Sequence, residues 1–254
     1  MNKISVVIIA FNEAEKIERC IASTLDIADE IIVVDSFSTD DTKIISERIG
    51  ATVIQNKFEG HIEQKNFAVR CAKFDFILSL DADECLSPEL SKSIIEIKNN
   101  LDYDAFNMNR LNNFCGKWIK HGDWYPDRKI RLWKKSMGSW GGENPHDHVV
   151  LVDGTKIKHL TGDILHYTIS SLPEFKNQTN KFTDIASLVL YRKNIRSNNL
   201  VLPLKTIFTF VRAYIIRAGF LDGYYGFIIS KEAARYTYLK YYKLSLRYKQ
   251  SCCD

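Results

Sequence analysis

Residues 1–100 alternate short apolar runs with amphipathic stretches. Ile4–Ile9 is a continuous β-branched run, the pattern of a strand buried on both faces. Asn12 then stands where a helix N-cap belongs, with Glu15 three residues on as a variant capping box, and Ile17, Cys20 and Ile21 follow at helical spacing. Glu30–Val34 reads as a second strand, Ser36–Asp41 as a polar turn, and Ile44, Ile45 and Ile49 as a second helix that stops at Gly50. Ala51–Ile54 reads as a third strand and Ile62, Ala68, Val69 and Ala72 as a third helix. Phe74–Leu80 reads as a fourth strand that ends at Asp81. Ser87-Pro88 supplies the cap and first turn of one more helix, to about Asn99. This β-α-β-α-β-α-β order predicts an α/β fold, a parallel sheet with helices on both faces. Ligands in such sheets bind beyond the carboxyl ends of the strands. Asn12-Glu13 follows strand one, Asp35 follows strand two and Asp81–Asp83 follows strand four.

The pattern then changes. Residues 103–167 read as shorter strands with aromatic-rich loops, 172–193 as a helix, and 202–249 as one or two long helices broken near Gly219–Gly226. With no repeat and no clean linker, one catalytic domain with a helical C-terminal appendage is expected. The formal net charge of +4 is too small to point to nucleic acid, but its distribution is uneven. Residues 201–254 carry nine Lys/Arg against three acids, a net +6, so the rest of the chain nets −2. Aromatic residues are interleaved with these cations. That pattern fits an interfacial helix on an anionic leaflet, and equally a helical pair packed on the catalytic domain with a solvated basic face. The six cysteines show no CxxC pair and no zinc spacing. No apolar run is long enough to span a bilayer, and the first residues run straight into a strand without a signal-peptide pattern. The expected location is therefore a reducing cytoplasm.

The chemistry concentrates at the predicted strand ends. Asp81 and Asp83, at i and i+2 after a buried strand, suit a shared divalent cation, Mg²⁺ or Mn²⁺, with a diphosphate completing its oxygen shell. A solvated acidic turn is the plainer reading of such a triplet. Asp35 ends a buried strand, where turn chemistry does not explain it. Its carboxylate can accept from a uracil N–H or a ribose hydroxyl. Lys65, early in the third helix, can reach a diphosphate as a point charge. Arg128 and Arg131 are expected to point to one face of a strand-like run and to grip phosphates of donor or acceptor. Trp118, Trp124, Tyr125 and Trp140 are candidates for stacking on sugars.

In order and spacing, Ser5–Glu13, Val33–Asp40, Gln64-Lys65-Asn66 and Leu80–Glu84 resemble the family 2 glycosyltransferases of GT-A fold. The segments His121–Asp127 and Leu165-His166-Tyr167 also resemble one branch of that family, the bacterial lipopolysaccharide core-biosynthesis β-glucosyltransferases. The resemblance implies a GT-A catalytic domain over residues 1–170, with a nucleotide-sugar half at about 1–100 and an acceptor half at about 101–170, and a helical C-terminal extension over 171–254. It implies inverting transfer of a hexose, glucose first among them, from a UDP-hexose such as UDP-glucose to a lipopolysaccharide or lipooligosaccharide inner-core acceptor. Asn12, Glu13, Asp35, Lys65, Asp81 and Arg131 would hold the donor, and Asp81 and Asp83 the divalent metal. The implied acceptor is a lipid-linked saccharide, so the implied location is the inner face of the bacterial inner membrane, peripherally bound. Where the related branch has Glu after His, this chain has Asp147 after His146. Asp147 is the expected general base, with Glu143 and Asp127 as rivals, His146 and His148 as orienting neighbours, and His166 as a possible third metal ligand. Two other readings stand beside this one, a sugar nucleotidyltransferase and a non-catalytic membrane-associated sugar-binding adaptor. The loop after strand one lacks the glycines that a triphosphate-cradling loop or a GxGxxG dinucleotide site needs.

Overall fold

The computed structural model describes residues 2–98, 102–143, 146–196 and 201–250. Eleven strands and seven α-helices are found among them. The first half runs β1 (Ile4–Ala10), α1 (Ile17–Ala22), β2 (Glu30–Asp35), α2 (Thr42–Arg48), β3 (Thr52–Gln55), α3 (His61–Cys71), β4 (Phe76–Asp81), β5 (Glu84–Leu86) and α4 (Pro88–Lys98). There follow β6 (Ala105–Phe114), β7 (Lys117–Ile119), β8 (Asp127–Lys134), β9 (Gly138–Glu143), β10 (His146–Leu151) and β11 (Ile157–Ile169). Helices α5 (Leu172–Arg192), α6 (Leu202–Val211) and α7 (Gly223–Gln250) close the chain.

The main sheet has the order β3-β2-β1-β4-β8-β6-β11-β5, with β7 on β6, and β9–β10 form a separate hairpin. The β2–β1–β4 centre is parallel, and β8 then pairs antiparallel with β4. The sheet is therefore mixed and flanked by helices: β3-β2-β1-β4 run parallel, whereas β4–β8, β8–β6, β6–β7 and β11–β5 pair antiparallel. The β-branched run of β1 explains itself in the packing. Ile4, Val6 and Ile8 join Ile17, Ile21, Leu90 and Ile94 in one core, whereas Val7 joins Ala68, Val69 and Trp133 in another. Helices α1 and α4 thus cover one face and α3 the other, so neither face of β1 meets water.

Two compact units divide the chain: residues 1–110 with 127–166, and 111–126 with 167–254. The first unit holds both of those cores. In the second unit, Phe114, Ile119, Ile169 and Ile229 gather with Trp124, Phe175 and Tyr225. Its helices α5 and α7 pack through a small-residue stripe, Thr179, Thr183 and Ser187, buried at helical spacing. The break expected near Gly219–Gly226 is present as a short 3₁₀ turn at Gly219–Asp222.

One expectation fails at the first loop. Asn12 does not cap α1, which begins at Ile17 without a side-chain cap. Asn12 instead adopts φ 53°. Its Oδ1 accepts from Thr39 N at 2.8 Å and its N–H donates to Ser38 Oγ at 2.9 Å. Glu13 N donates to Thr42 Oγ1 at 2.8 Å. The loops after β1 and β2 are therefore clipped together, and the side chain that would cap a helix is spent between them.

Candidate active site

The site is built where β4 ends. β8 pairs with β4 only over Phe76–Leu78, and beyond that point the two strands part. The gap is a cavity of about 480 Å³ whose wall includes Lys65, Asp81, Arg128, Arg131, Trp140 and Asp147. Lys65 reaches it from α3, Asp81 from the last position of β4, Trp140 from β9 and Asp147 from β10.

Lys65 is the hub. Its Nζ lies 2.9 Å from Asp81 Oδ1, 2.7 Å from Asp147 Oδ2 and 4.3 Å from the Trp140 ring centroid. The side chain is only 5% exposed. Arg131 is its counterpart. Its Nη2 contacts Asp81 at 3.2 Å and Glu84 at 2.7 Å, with the guanidinium 5.1 Å from the Trp140 ring. Burial alone would raise the Asp81 carboxyl, but Lys65 and Arg131 outweigh it and hold the group well below the usual carboxylate range. Burial likewise opposes charge on Arg131, and Glu84 and Asp81 reverse that, so its guanidinium is held charged. Two buried donors of this wall, Trp140 Nε1 and Arg131 Nε, have no protein partner among the described residues. Buried donors are nearly always satisfied, so both mark places suited to ligand oxygens.

In a regular strand, residues three apart face opposite sides, so an uninterrupted β8 would separate Arg128 from Arg131. The register of β6 against β8 slips between Phe106 and Asn107, which pair with Leu132 and Ile130. Arg131 is the extra residue of this bulge. The bulge resets the alternation and brings both arginines to the cavity, as expected but not for the reason a strand pattern gives.

The remaining predicted residues sit around this core. Asp83 lies 3.3 Å from His166 Nε2 through its Oδ2. Burial pushes the Glu13 carboxyl up, Lys16 at 3.1 Å pulls it back, and the charge of Asp83 adds to the rise. Asp35 is fully buried and accepts from Ser38 N at 3.1 Å and Gln55 Nε2 at 3.3 Å, as well as from the Ser38 hydroxyl. Its carboxylate is thus already engaged by its own turn. Of the rival bases, Asp127 is held by Arg110 at 2.9 Å and Lys129 at 3.0 Å, and Glu143 is exposed at the end of β9. Neither lines the cavity, whereas Asp147 does. Asn144, Pro145 and the side chain of His146 lie outside the described residues.

Of the aromatic candidates, only Trp140 lines this cavity. Trp124 packs edge-to-face on Phe114 and Phe175, and Trp118 on Tyr167, within the second unit. Sequence reasoning missed Glu84. It is buried, accepts from Asp81 N at 3.0 Å, and anchors Arg131. An acid three residues beyond a strand-end aspartate, in an otherwise apolar strand, is the signal that marks it.

The end of the central strand thus gathers paired acids and buried cations in one cavity of an α/β sheet. The family model described as glycosyl transferase family 2 matches residues 5–155. An uncharacterized glycosyltransferase of Rickettsia prowazekii (strain Madrid E) is 36% identical over 257 residues, covering 96% of this chain and 87% of that protein. The chain belongs to glycosyl transferase family 2, and it is a glycosyltransferase. The lipopolysaccharide core biosynthesis glycosyltransferase LpsC of Rhizobium meliloti (strain 1021) is 25% identical over 255 residues, covering 96% of this chain and 93% of that one. Among solved structures, glucosyl-3-phosphoglycerate synthase of Mycobacterium tuberculosis, in complex with Mn²⁺, UDP-glucose and phosphoglyceric acid, is 26% identical. The match covers 44% of each chain at a TM-score of 0.37.

Proposed function

We propose that the protein is an inverting hexosyltransferase that moves a hexose, glucose first, from a uridine-diphosphate sugar to a lipopolysaccharide or lipooligosaccharide inner-core acceptor at the membrane surface. One observation carries this reading: a single buried cation, Lys65, bridges Asp81 and Asp147. Asp81 sits where the leaving diphosphate would be held, and Asp147 where an acceptor hydroxyl would lose its proton, so Lys65 ties both halves of the reaction into one cavity. The likeness to LpsC along nearly the whole of both chains supports the choice of acceptor.

The carboxylates of Asp81 and Asp83 are hard oxygen donors that fit Mg²⁺ or Mn²⁺, with the charge on Asp83 felt as far as Glu13. A divalent ion there would supply positive charge to the leaving nucleotide diphosphate. The chain's own residues do the rest. Lys65 and Arg131 present positive charge to the phosphates, Trp140 closes the wall behind them, and Asn12, Glu13 and Asp35 stand at the nucleoside end of the strand edge. Asp147 accepts the acceptor hydroxyl proton. That oxygen forms a bond to the anomeric carbon as the bond to the diphosphate oxygen breaks, with inversion.

The test is a donor screen. The protein is incubated with Mn²⁺ or Mg²⁺ and a panel of nucleotide sugars, and release of nucleoside diphosphate is measured with and without deacylated core oligosaccharide. Release from UDP-hexose that rises with acceptor, and is lost in Asp83→Ala, is the expected result. Activity indifferent to chelator and to Asp83→Ala would overturn the metal assignment, and full transfer by Asp147→Asn would overturn the base.

A further inference from the structure

The basic aromatic tail is two structures with different surroundings. Three of the six cations of α7 face protein. Arg235 donates to Asn180 Oδ1 at 2.9 Å, Lys243 lies 2.8 Å from Asp184 Oδ1, and Arg247 donates to Ser187 Oγ at 3.0 Å. All three bind α5, so these charges of α7 serve helix pairing. The segment before α7 is different. α6 runs into a π-helical turn at Arg212–Ile216, Ala218 takes φ 55°, and the chain doubles back through the 3₁₀ turn into α7. Glycine makes this hook possible: a Cβ on Gly226 would lie 1.8 Å from Gly219 O. The buried Asp222 carboxylate pins it, accepting from His121 N at 2.8 Å and Lys120 N at 3.2 Å. Inside the hook, Phe210, Tyr214 and Phe227 pack on one another.

The outside of the hook is bare. Leu204, Ile207, Phe208, Ile215, Ile216 and Leu221 are 54–67% exposed. So much exposed aliphatic and aromatic surface within eighteen residues marks an interaction site. Its charge names the partner. Between Val201 and Lys231 the only acid is Asp222, which is buried. Lys205, Arg212 and Arg217 are the cations, and among the described residues only Asp123 pairs with the two arginines. An apolar tip ringed by cations with no exposed acid is complementary to an anionic bilayer. A second copy of the same surface would instead bring like charges together. No described helix is long and apolar enough to cross a membrane, and α6, ten residues, has the length to lie in one leaflet.

We propose that the hook at residues 202–224 is a monotopic membrane anchor that inserts its apolar tip into an anionic leaflet, and that α7 does not insert. This rests on the membrane-surface reading above and replaces its broad tail with one segment. The experiment is flotation of the full chain with vesicles of equal parts phosphatidylglycerol and phosphatidylethanolamine. Ile207→Glu with Ile216→Glu, both at exposed positions, is expected to weaken binding by more than about tenfold with circular dichroism unchanged. Lys231→Glu with Lys249→Glu, on the exposed side of α7, is expected to change it by less than about threefold. Phe208→Trp is expected to be quenched by bromine-labelled acyl chains and Tyr242→Trp not. Equal loss from both pairs of substitutions, quenching at position 242 alone, or a wild-type protein that fails to float would overturn the proposal. Release of nucleoside diphosphate from free donor is the separate readout of the glycosyltransferase reading. A protein that floats but never hydrolyses donor, or the reverse, distinguishes the two failures.

Discussion

At the scale of the residue, Lys65 is where a single atom decides most. It is buried beneath Trp140 and neutralises two carboxylates that would otherwise repel across the cavity. Lys65→Met keeps the stem and removes the charge. It is expected to lower glycosyl transfer by about a hundredfold or more, with a measurable fall in melting temperature because Asp81 and Asp147 lose their shared cation. Lys65→Arg is not expected to restore activity, since a planar fork cannot reproduce contacts at 2.7 and 2.9 Å to two different carboxylates over an indole face. A variant with wild-type turnover would show that the bridge is idle. A second residue makes a prediction about pH. Burial raises the Asp29 carboxyl, but hydrogen bonds from Lys98 and Ile4 N–H outweigh it and leave the group lowered. A lowered folded pKa means stability that is present above the ordinary carboxylate value of about 3.9 and lost as pH falls through the lower folded value. Asp29→Asn is therefore expected to cost about 1–2 kcal/mol at neutral pH, where it removes the countercharge of the buried Lys98 ammonium and leaves it neutral acceptors such as Ile27 O. In urea melts that difference is expected to shrink below about pH 4. A gap that stays constant across that range would assign the loss to packing.

At the scale of the element, what the sequence made legible was what local pattern controls. The β-branched runs at Ile4–Ala10 and Glu30–Asp35 are strands because both their faces meet helices, and Asp81 stands at a strand end because Phe76–Leu80 is buried throughout and apolar but for Ser79. What stayed hidden depends on partners distant in the chain. The bulge at Arg131 exists only against β6. The diversion of Asn12 from capping exists only because Ser38 and Thr39 lie across from it. The contacts of the α7 cations need residues of α5, some sixty positions earlier. Glu84 reads as one more surface acid until Arg131 is placed over it. Gly162 on β11 is another such position, unremarkable in sequence. It has φ 96°, and a Cβ there would lie 2.3 Å from the backbone N of Leu90 in the first turn of α4. Neither backbone can yield without breaking the paired hydrogen bonds between Ser87 and Asp163. Gly162→Ala is expected to destabilise by more than about 2 kcal/mol, read as a lowered urea midpoint. A loss within about 0.5 kcal/mol, the range of an ordinary surface change, would mean that the helix start can shift.

At the scale of the whole molecule, the cores do not follow the order of the chain. The two cores that pack on β1, β2 and β4 draw only on residues 1–110 and 127–166, and the cavity of Lys65, Asp81 and Asp147 is lined by those residues alone. The third core takes Phe114 and Ile119 from the middle of the sequence. It covers them with Leu172, Phe175, Tyr225, Ile228 and Ile229 from α5 and α7. A chain ended after residue 170 therefore keeps the first two cores and strips the third, leaving the otherwise fully buried Phe114 in water. At about 25 cal/mol per Å² of apolar surface, uncovering a residue of that size costs about 2–3 kcal/mol, before its neighbours are counted. The truncated chain is expected to bind 8-anilinonaphthalene-1-sulfonate strongly and to self-associate, while slow release of nucleoside diphosphate from free donor persists, because no group of the cavity has been removed. A monomeric fragment that stays dark with the dye would show that residues 111–126 need no helical cover. A fragment that still melts cooperatively but releases no diphosphate would show that donor chemistry depends on the C-terminal helices.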